Sequence, residues 1–352
     1  GDHRDLHSFP TRRSSDLCCQ KKEDDDIIFS NRGKTRENVF TFNEVSTKFY
    51  TSKTNCNIQE SELNDAINLL EYSIKQKGEF LKNKNITEIL EELNPMANEI
   101  NLPKEIINDI SVFYIKEPMI KFADGEIYEG GWNLEFQRHG YGISVNKEGN
   151  VFKGLWENDN FGRYGAFIEN NGNYYIGELS QGKEKGIGEM YIKNKMKYKG
   201  EFNDDLPNGQ GTLENFKDNS TYKGNVINGI KEGYGELKFG DGTLYKGEFK
   251  EDKLNGKGII IFTNGRKYEG EFKNNKMNGN GTFFWEDGKK YIGNYKDNIK
   301  QGYGTMYWNE NKYYEGEWFN NKPHGEGMYY LNGKFLKGKF RFGKIITQNQ
   351  EL

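Results

Sequence analysis

Cysteine is nearly missing from this chain: of 352 residues only Cys18, Cys19 and Cys56 carry a thiol. No disulfide framework and no zinc-ligand spacing can be built from them, so a reducing, intracellular setting is expected. Histidine is almost as scarce, limited to His3, His7, His139 and His324. No serine or cysteine nucleophile stands in a pattern with a base and an orienting acid, which removes the common triad chemistries. There is no run of about 18 apolar residues, the length a membrane-crossing helix needs. Charge of one sign is missing too, with 50 Lys and Arg against 53 Asp and Glu. A nucleic-acid partner, which calls for a basic face, is therefore not expected. Mean hydropathy is −0.95, low enough to suit a disordered chain, but an aromatic content of 14% argues for a folded one.

What the chain does have is a repeating phrase. An aromatic residue is followed by any residue, Gly, often Glu, and then an aromatic or apolar residue; Gly-x-Gly comes seven residues later. Clear copies are Tyr245-Lys-Gly-Glu-Phe249 with Gly256-Lys-Gly258, Tyr268-Glu-Gly-Glu-Phe272 with Gly279-Asn-Gly281, and Tyr314-Glu-Gly-Glu-Trp318 with Gly325-Glu-Gly327. The first glycine falls at 130, 154, 177, 200, 224, 247, 270, 293, 316 and 338, at intervals of 22 to 24 residues. A fixed period of this length marks an array in which each unit is stable only against its neighbours. Nine units are complete, and a truncated tenth, Leu336-Lys-Gly-Lys-Phe340, lacks the second phrase. The first carries one extra residue before Gly140, predicting a loop insertion or bulge. The second has Arg163 where a loop glycine stands elsewhere, predicting a distorted hairpin.

Alternation inside each unit has the two-residue period of a strand. Tyr245, Gly247 and Phe249 share one face, and Lys246, Glu248 and Lys250 the other. In the partner strand Met190, Leu213, Leu237, Ile260, Phe283, Met306 and Tyr329 continue the aromatic face from unit to unit. Asp241-Gly242, Asn264-Gly265, Asp287-Gly288 and Asn332-Gly333 supply positive φ angles for tight turns. Glycine inside a strand is weakening, by roughly 0.5–1 kcal/mol relative to Ala. Rings from neighbouring strands resting on that bare backbone would offset the loss. The recurring Glu178, Glu201, Glu248, Glu271 and Glu317 lie on the opposite, polar face, where pairing with lysines across strands is expected.

This pattern closely resembles the MORN (membrane occupation and recognition nexus) repeat, whose units read roughly Tyr-Glu-Gly-Glu-Trp, a turn, then Gly-x-Gly. The resemblance covers about Glu126 to Phe340. The expected fold is mainly β: an elongated single-layer antiparallel β-hairpin solenoid of about nine MORN repeats, preceded by a small α-helical segment. Family membership implies a non-enzymatic scaffold, since similar proteins serve at membrane junctions, flagellar spoke heads and cytoskeletal rings. It predicts protein partners or a homodimer held on an aromatic face made of Tyr245, Phe249, Tyr268, Phe272, Tyr291, Tyr295, Tyr314 and Trp318. The expected location is cytoplasmic, at a membrane face, the cytoskeleton or a cilium, with no cofactor and no metal. One alternative is a peripheral phosphoinositide-binding membrane tether. It would use Lys193, Lys195, Lys197 and Lys199, which share one side if their segment is extended, for anionic-lipid contact. Acylation at Cys18 and Cys19 would complete such a tether. A second alternative is the regulatory portion of a phosphatidylinositol phosphate kinase lacking its catalytic domain. With only a dozen residues after Phe340, a catalytic domain of ordinary size is not expected downstream.

Upstream of the array the organisation changes. Residues 1–17 read as the translation of a sequencing-library adapter and are set apart from the fold. Residues 18–56 are read as a disordered or irregular tail. Across 57–118 the period turns helical, with stripes at Leu63, Ala66, Ile67, Leu70 and Ile74, at Ile86, Ile89, Leu90 and Leu93, and at Ile106, Ile107 and Ile110. These helices are expected to cap the exposed edge of the first hairpin, with a separate partner-binding module as the other reading. The array then fills 119–346, and 347–352 form a short tail. His139 and His324 precede loop glycines and are read as turn residues. The Gly-x-Gly phrases open strands and lack a Gly-Lys-Ser/Thr ending, so they are not phosphate loops.

Overall fold

In this computed structural model, residues 39–42, 45–48, 72, 76–81, 85–107, 115–116, 119–133 and 135–348 are described. Each repeated phrase opens a strand and each Gly-x-Gly lies in the strand that returns beside it. In the sixth unit these are Leu244–Lys250 and Lys253–Ile261. The tight turn between them, Glu251-Asp252, has φ of 50° and 64°, the double left-handed conformation that matches strand twist. Asn274-Asn275, Asp297-Asn298 and Asn320-Asn321 repeat it. The pairs Asp241-Gly242 and Asn264-Gly265 instead sit in the connections between units, where only the glycine has positive φ, 90° and 76°.

Hairpins stack in chain order, every strand antiparallel to the next, from Ile127–Trp132 to Lys344–Gln348. The register is constant. Tyr245 opposes Ile260, which opposes Tyr268; Gly247 opposes Gly258, which opposes Gly270. In the first nine units the register slips once, directly after the first glycine, as between Gly247 and Phe249. Glu248, the single residue inside the slip, faces three on the return strand, Asn255, Gly256 and Lys257, so the β-bulge lies on the return strand, where Gly256 has φ 84°. The second unit keeps this register despite Arg163, with Gly154 opposite Gly165 and Trp156 opposite Phe161. Its hairpin is therefore not displaced, contrary to expectation. The extra residue of the first unit lies in its turn, between Trp132 and Arg138. The tenth unit closes as a hairpin without Gly-x-Gly, Lys334–Arg341 pairing with Lys344–Gln348.

Successive units are joined through their turns. The second turn residue donates its backbone N–H to the preceding unit and accepts an N–H there with its side chain. Asp252 bonds Lys231 O at 3.1 Å and Lys231 N at 3.0 Å. Asn275 does the same to Leu254, Asn298 to Met277 and Asn321 to Lys300. This explains why Asp and Asn recur there: both tolerate positive φ and carry an acceptor oxygen.

The first edge of the array is covered by strands. Ile115–Lys116 and Ile120–Phe122 lie end to end along Ile127–Trp132. Gly78–Phe80 and the hairpin of Val39–Phe42 with Val45–Lys48 extend them. The helices α1 (Ile86–Leu93), α2 (Met96–Glu99) and α3 (Lys104–Ile107) do not cap that edge. They lie against the face opposite the repeated tyrosines, where Ile86, Ile89, Leu90, Ala97, Ile100 and Leu102 pack with Val145, Val151, Ala166 and Ile168. Glu129 accepts the N–H of Ile86 at the start of α1. The Asn94 amide at its end reaches the carbonyls of Gly149 and Glu169 at 3.1 and 3.2 Å. Lys153, buried and with its ammonium pKa lowered by desolvation, donates to the carbonyl of Ala97 in α2 and to that of Ile100 at its end. The stripe from Leu63 to Ile74, Ile110, Cys18 and Cys19 lie outside the described residues.

Candidate functional site: the two faces of the sheet

The front face is built by the tyrosines. The Tyr245 ring lies across Gly247 of its own strand and Gly258 of the paired strand; a Cβ on either glycine would come within 2.4 Å of the phenol oxygen. The hydroxyl then donates to the carbonyl of Glu248, at the bulge, over 2.9 Å. Tyr128, Tyr175, Tyr198, Tyr222, Tyr268, Tyr291 and Tyr314 make the same bond to the third residue on. Desolvation raises the phenol pKa, to about 12 at Tyr198 and Tyr222. The ring thus covers the glycines of its own hairpin. Ring contacts are edge-on: Tyr245 meets Phe249 of its own strand and Phe272 of the next unit, each at 5.2 Å between centroids and near-perpendicular.

The same relay places Tyr268 against Tyr295, Tyr291 against Trp318 and Tyr314 against Phe340. Consequently Tyr245, Phe249, Tyr268, Phe272, Tyr291, Tyr295, Tyr314 and Trp318 are each no more than 5% exposed. Expected as a contact surface, these rings are instead the core, because their faces are spent on glycine backbone and on each other.

The accessible rings lie one row further out. Phe239, Phe262, Trp285 and Trp308, 23 residues apart, are half-buried; the first three stand one residue beyond the second strands of their units and Trp308 lies near the end of its own. Ile260, Phe283 and Tyr329 stand beside them, also half-buried. Cations rest on this row: Arg266 over Phe262 at 5.6 Å, Lys300 over Trp285 at 4.7 Å and Lys312 over Trp308 at 5.4 Å. Lys300 also lies over Tyr291 and Trp318 at 4.7 and 5.1 Å, and burial pushes its ammonium down to about 8. The recurrence of this row every 23 residues was available in the sequence, but the stronger tyrosine–glycine signal masked it.

Lysine pairing does not explain the recurring glutamates. Glu201, Glu248, Glu271 and Glu317 accept the backbone N–H of the residue between the two glycines of Gly-x-Gly, at 3.0 to 3.4 Å. They satisfy a donor that the bulge leaves unpaired. Cross-strand ion pairs occur at other positions, Lys246 with Glu236 at 2.7 Å and Lys197 with Glu189 at 2.9 Å. Glu184 differs from all of these. It opposes Leu179 on the front face, its Oε2 is buried without a hydrogen-bond partner, and desolvation with nearby Asp205 raises its carboxyl to about 8.

The four lysines do not form one row. Lys193 and Lys195 occupy the turn between the third and fourth units, bent by Asn194 at φ 58°. Lys197 and Lys199 are on the following strand, and Lys197 is paired with Glu189. His139 contacts Asn158 in the next turn, and His324 packs between Phe319 and Phe342. Both serve the turns. Among the described residues no group of three or more His, Cys, Asp and Glu side chains converges as a metal site, and no helix is long and apolar enough to cross a membrane.

Seven stretches match the family described as MORN repeat: 175–196, 198–214, 222–244, 245–265, 268–290, 291–311 and 314–334. Residues 175–334 belong to the MORN repeat family. The MORN geometry of ring over paired glycines extends further, to Tyr128 and Phe152 in the first two units. No curated protein shows a significant match to the chain. Among solved structures, the chain is similar to the TCP10 domain of Danio rerio CPAP in complex with a peptide of Danio rerio STIL. There the identity is 14%, covering 64% of this chain and 99% of that one, with a TM-score of 0.37. It is similar to the TCP domain of Drosophila melanogaster SAS-4 with a proline-rich motif of Ana2, at 13% identity, 53% and 81% coverage and a TM-score of 0.25. It is also similar to the CPAP G-box domain, at 15% identity, 57% and 100% coverage and a TM-score of 0.25. Likenesses of this degree carry no functional weight. The MORN array is a repeat β-solenoid scaffold.

Proposed function

We propose that this chain is a non-enzymatic adaptor that holds a protein partner, or a second copy of itself, on the front face of its MORN array. The observation that carries the reading is the row of Phe239, Phe262, Trp285 and Trp308, half-buried at the same place in four successive units. Such rings offer large contact area at little cost in side-chain freedom, which is why aromatic groups dominate binding hot spots. Arg266, Lys300 and Lys312 on these rings favour an acidic ligand segment. The test compares the full chain with a Trp285→Ala/Trp308→Ala variant, by quantitative co-purification from cells and by light scattering. Loss of the same co-purifying proteins, or of a dimer, is expected, since removal of one hot-spot ring costs about 2 kcal/mol or more. Identical recovery and identical mass for both forms would remove this reading.

A further inference from the structure

The back face carries its own row of residues, one per strand, in unbroken register. It begins Ile127, Val145, Val151, Ile168, Tyr174 and Tyr191. Here it is covered: Val145, Val151 and Ile168 are buried under α1 and α2. The row then turns polar at Lys197, Glu214, Thr221 and Lys238. From Leu244 it is apolar again, through Ile261, Lys267, Phe284, Lys290 and Tyr307 to Tyr313, Tyr330 and Phe335. Over these nine strands it contains five rings, two aliphatic residues, two lysines and no carboxylate. Nothing among the described residues covers it. Phe335 is 48% exposed and Ile261 41%, and the tyrosines of the row are half-buried.

We infer that this second apolar stretch, Leu244 to Phe335 on the back face, is a docking surface for an acidic amphipathic helix of a partner protein. The choice of occupant follows from the covered end of the same row. There the chain seats its own helix α1, Ile-Thr-Glu-Ile-Leu-Glu-Glu-Leu, which buries Ile86, Ile89 and Leu90 and carries three glutamates and no basic residue. The uncovered stretch repeats that apolar seat with lysines in its row: Lys267, which also pairs with Glu269 at 3.1 Å, lies over Phe284 at 4.7 Å, and Lys290 lies over Tyr307 at 4.8 Å. Nine strands at about 4.8 Å spacing make a seat about 38 Å long, the length of a helix of about 25 residues. The rings stack on each other, Tyr313 on Tyr330 at 4.9 Å and 22°. Tyr307 and Phe335, on either side of this pair, are tilted to it at 42° and 51°, an uneven apolar surface that suits packing against aliphatic side chains.

The surface is distinct from the front-face row, so the two proposals can fail separately. The probe is a fluorescein-labelled designed helix of about 25 residues with a Leu and Ile stripe and glutamate elsewhere, titrated against the full chain by anisotropy. Binding is expected, weakened about tenfold or more in a Tyr313→Thr/Tyr330→Thr variant and by less than about twofold in Trp285→Ala/Trp308→Ala. Thr keeps the strand preference, and Phe335→Thr, at an exposed position, serves as a second variant should the first melt early. A version of the probe with lysine for glutamate should bind about tenfold more weakly. The inference is overturned by no binding, by equal binding to the Tyr313/Tyr330 variant, by equal binding of the lysine probe, or by displacement of the probe with a single-stranded oligonucleotide. It is equally overturned if light scattering shows a dimer that the same variant abolishes, for the occupant is then a second copy.

Discussion

The first three units and the last five present the same register row on the back face and treat it in opposite ways. At Val145, Val151 and Ile168 the row is core, sealed by α1 and α2; at Tyr313, Tyr330 and Phe335 it is surface. The front face shows no such contrast, since ring, paired glycines and bulge recur from Tyr128 to Tyr314. The hairpins therefore owe their cohesion to the front, and the back is free to be covered, charged or left open. A repeat protein can keep one invariant face as its core and vary the other.

That division can be broken most directly on the front. Gly188→Ala, in the helix-covered third unit, and Gly258→Ala, in the uncovered sixth, should each cost about 3 kcal/mol or more in urea denaturation. Each new Cβ would meet a tyrosine hydroxyl, 2.4 Å from it in the sixth unit and 2.5 Å in the third. A large loss in only one of the two units would end the claim of an invariant core. Next comes Leu90→Ala, which should cost about 2–4 kcal/mol. Its increase in hydrogen exchange should be confined to the first three units, because coupling in such arrays is between neighbours. Smaller still is Glu184→Gln. Its folded carboxyl titrates near 8, above the usual 4.5, so native Glu184 is protonated where the unfolded chain is not. Stability is held below pH 4.5 and lost as pH rises toward 8. The variant should match the native chain near pH 4 and exceed it by on the order of 2 kcal/mol at pH 8. The finest comparison is within one face. Tyr245→Phe removes a hydrogen bond and should cost about 1 kcal/mol. Tyr295→Phe, whose hydroxyl is buried without a partner and whose counterparts are Phe249 and Phe272, should cost nothing or stabilise slightly by thermal melt.

Much of the front face was legible from the primary structure. Two-residue alternation around Tyr245, Gly247 and Phe249 placed ring and glycine together, and the period placed each hairpin beside the next. The bulge was not legible, because the residues it adds lie in the return strand and leave the spacing of Tyr, Gly and Phe unchanged. Without it Glu248 looked like a partner for lysine, when it accepts the amide N–H of Lys257. Alternation also misled at Lys193 to Lys199, where a turn through Asn194 interrupts the strand. The burial of Trp318 and its companions was beyond reach for a different reason. Pattern tells which face a ring is on, and only packing tells whether its neighbours leave any of it open. The seat of α1 depended on Val145, Val151 and Ile168 lining up across three strands, a register set by turns that sequence alone did not define.

The backward reach of Asp252, Asn275, Asn298 and Asn321 gives the ribbon a direction. Each hairpin fastens its predecessor and waits to be fastened by its successor, like links closed one after another. Adding or deleting a whole period leaves every fastening intact, whereas a cut of any other size opens one. The span between what is held at one end and what is held at the other can therefore lengthen or shorten in steps of about 10 Å, two strands at a time, with no new joint to invent.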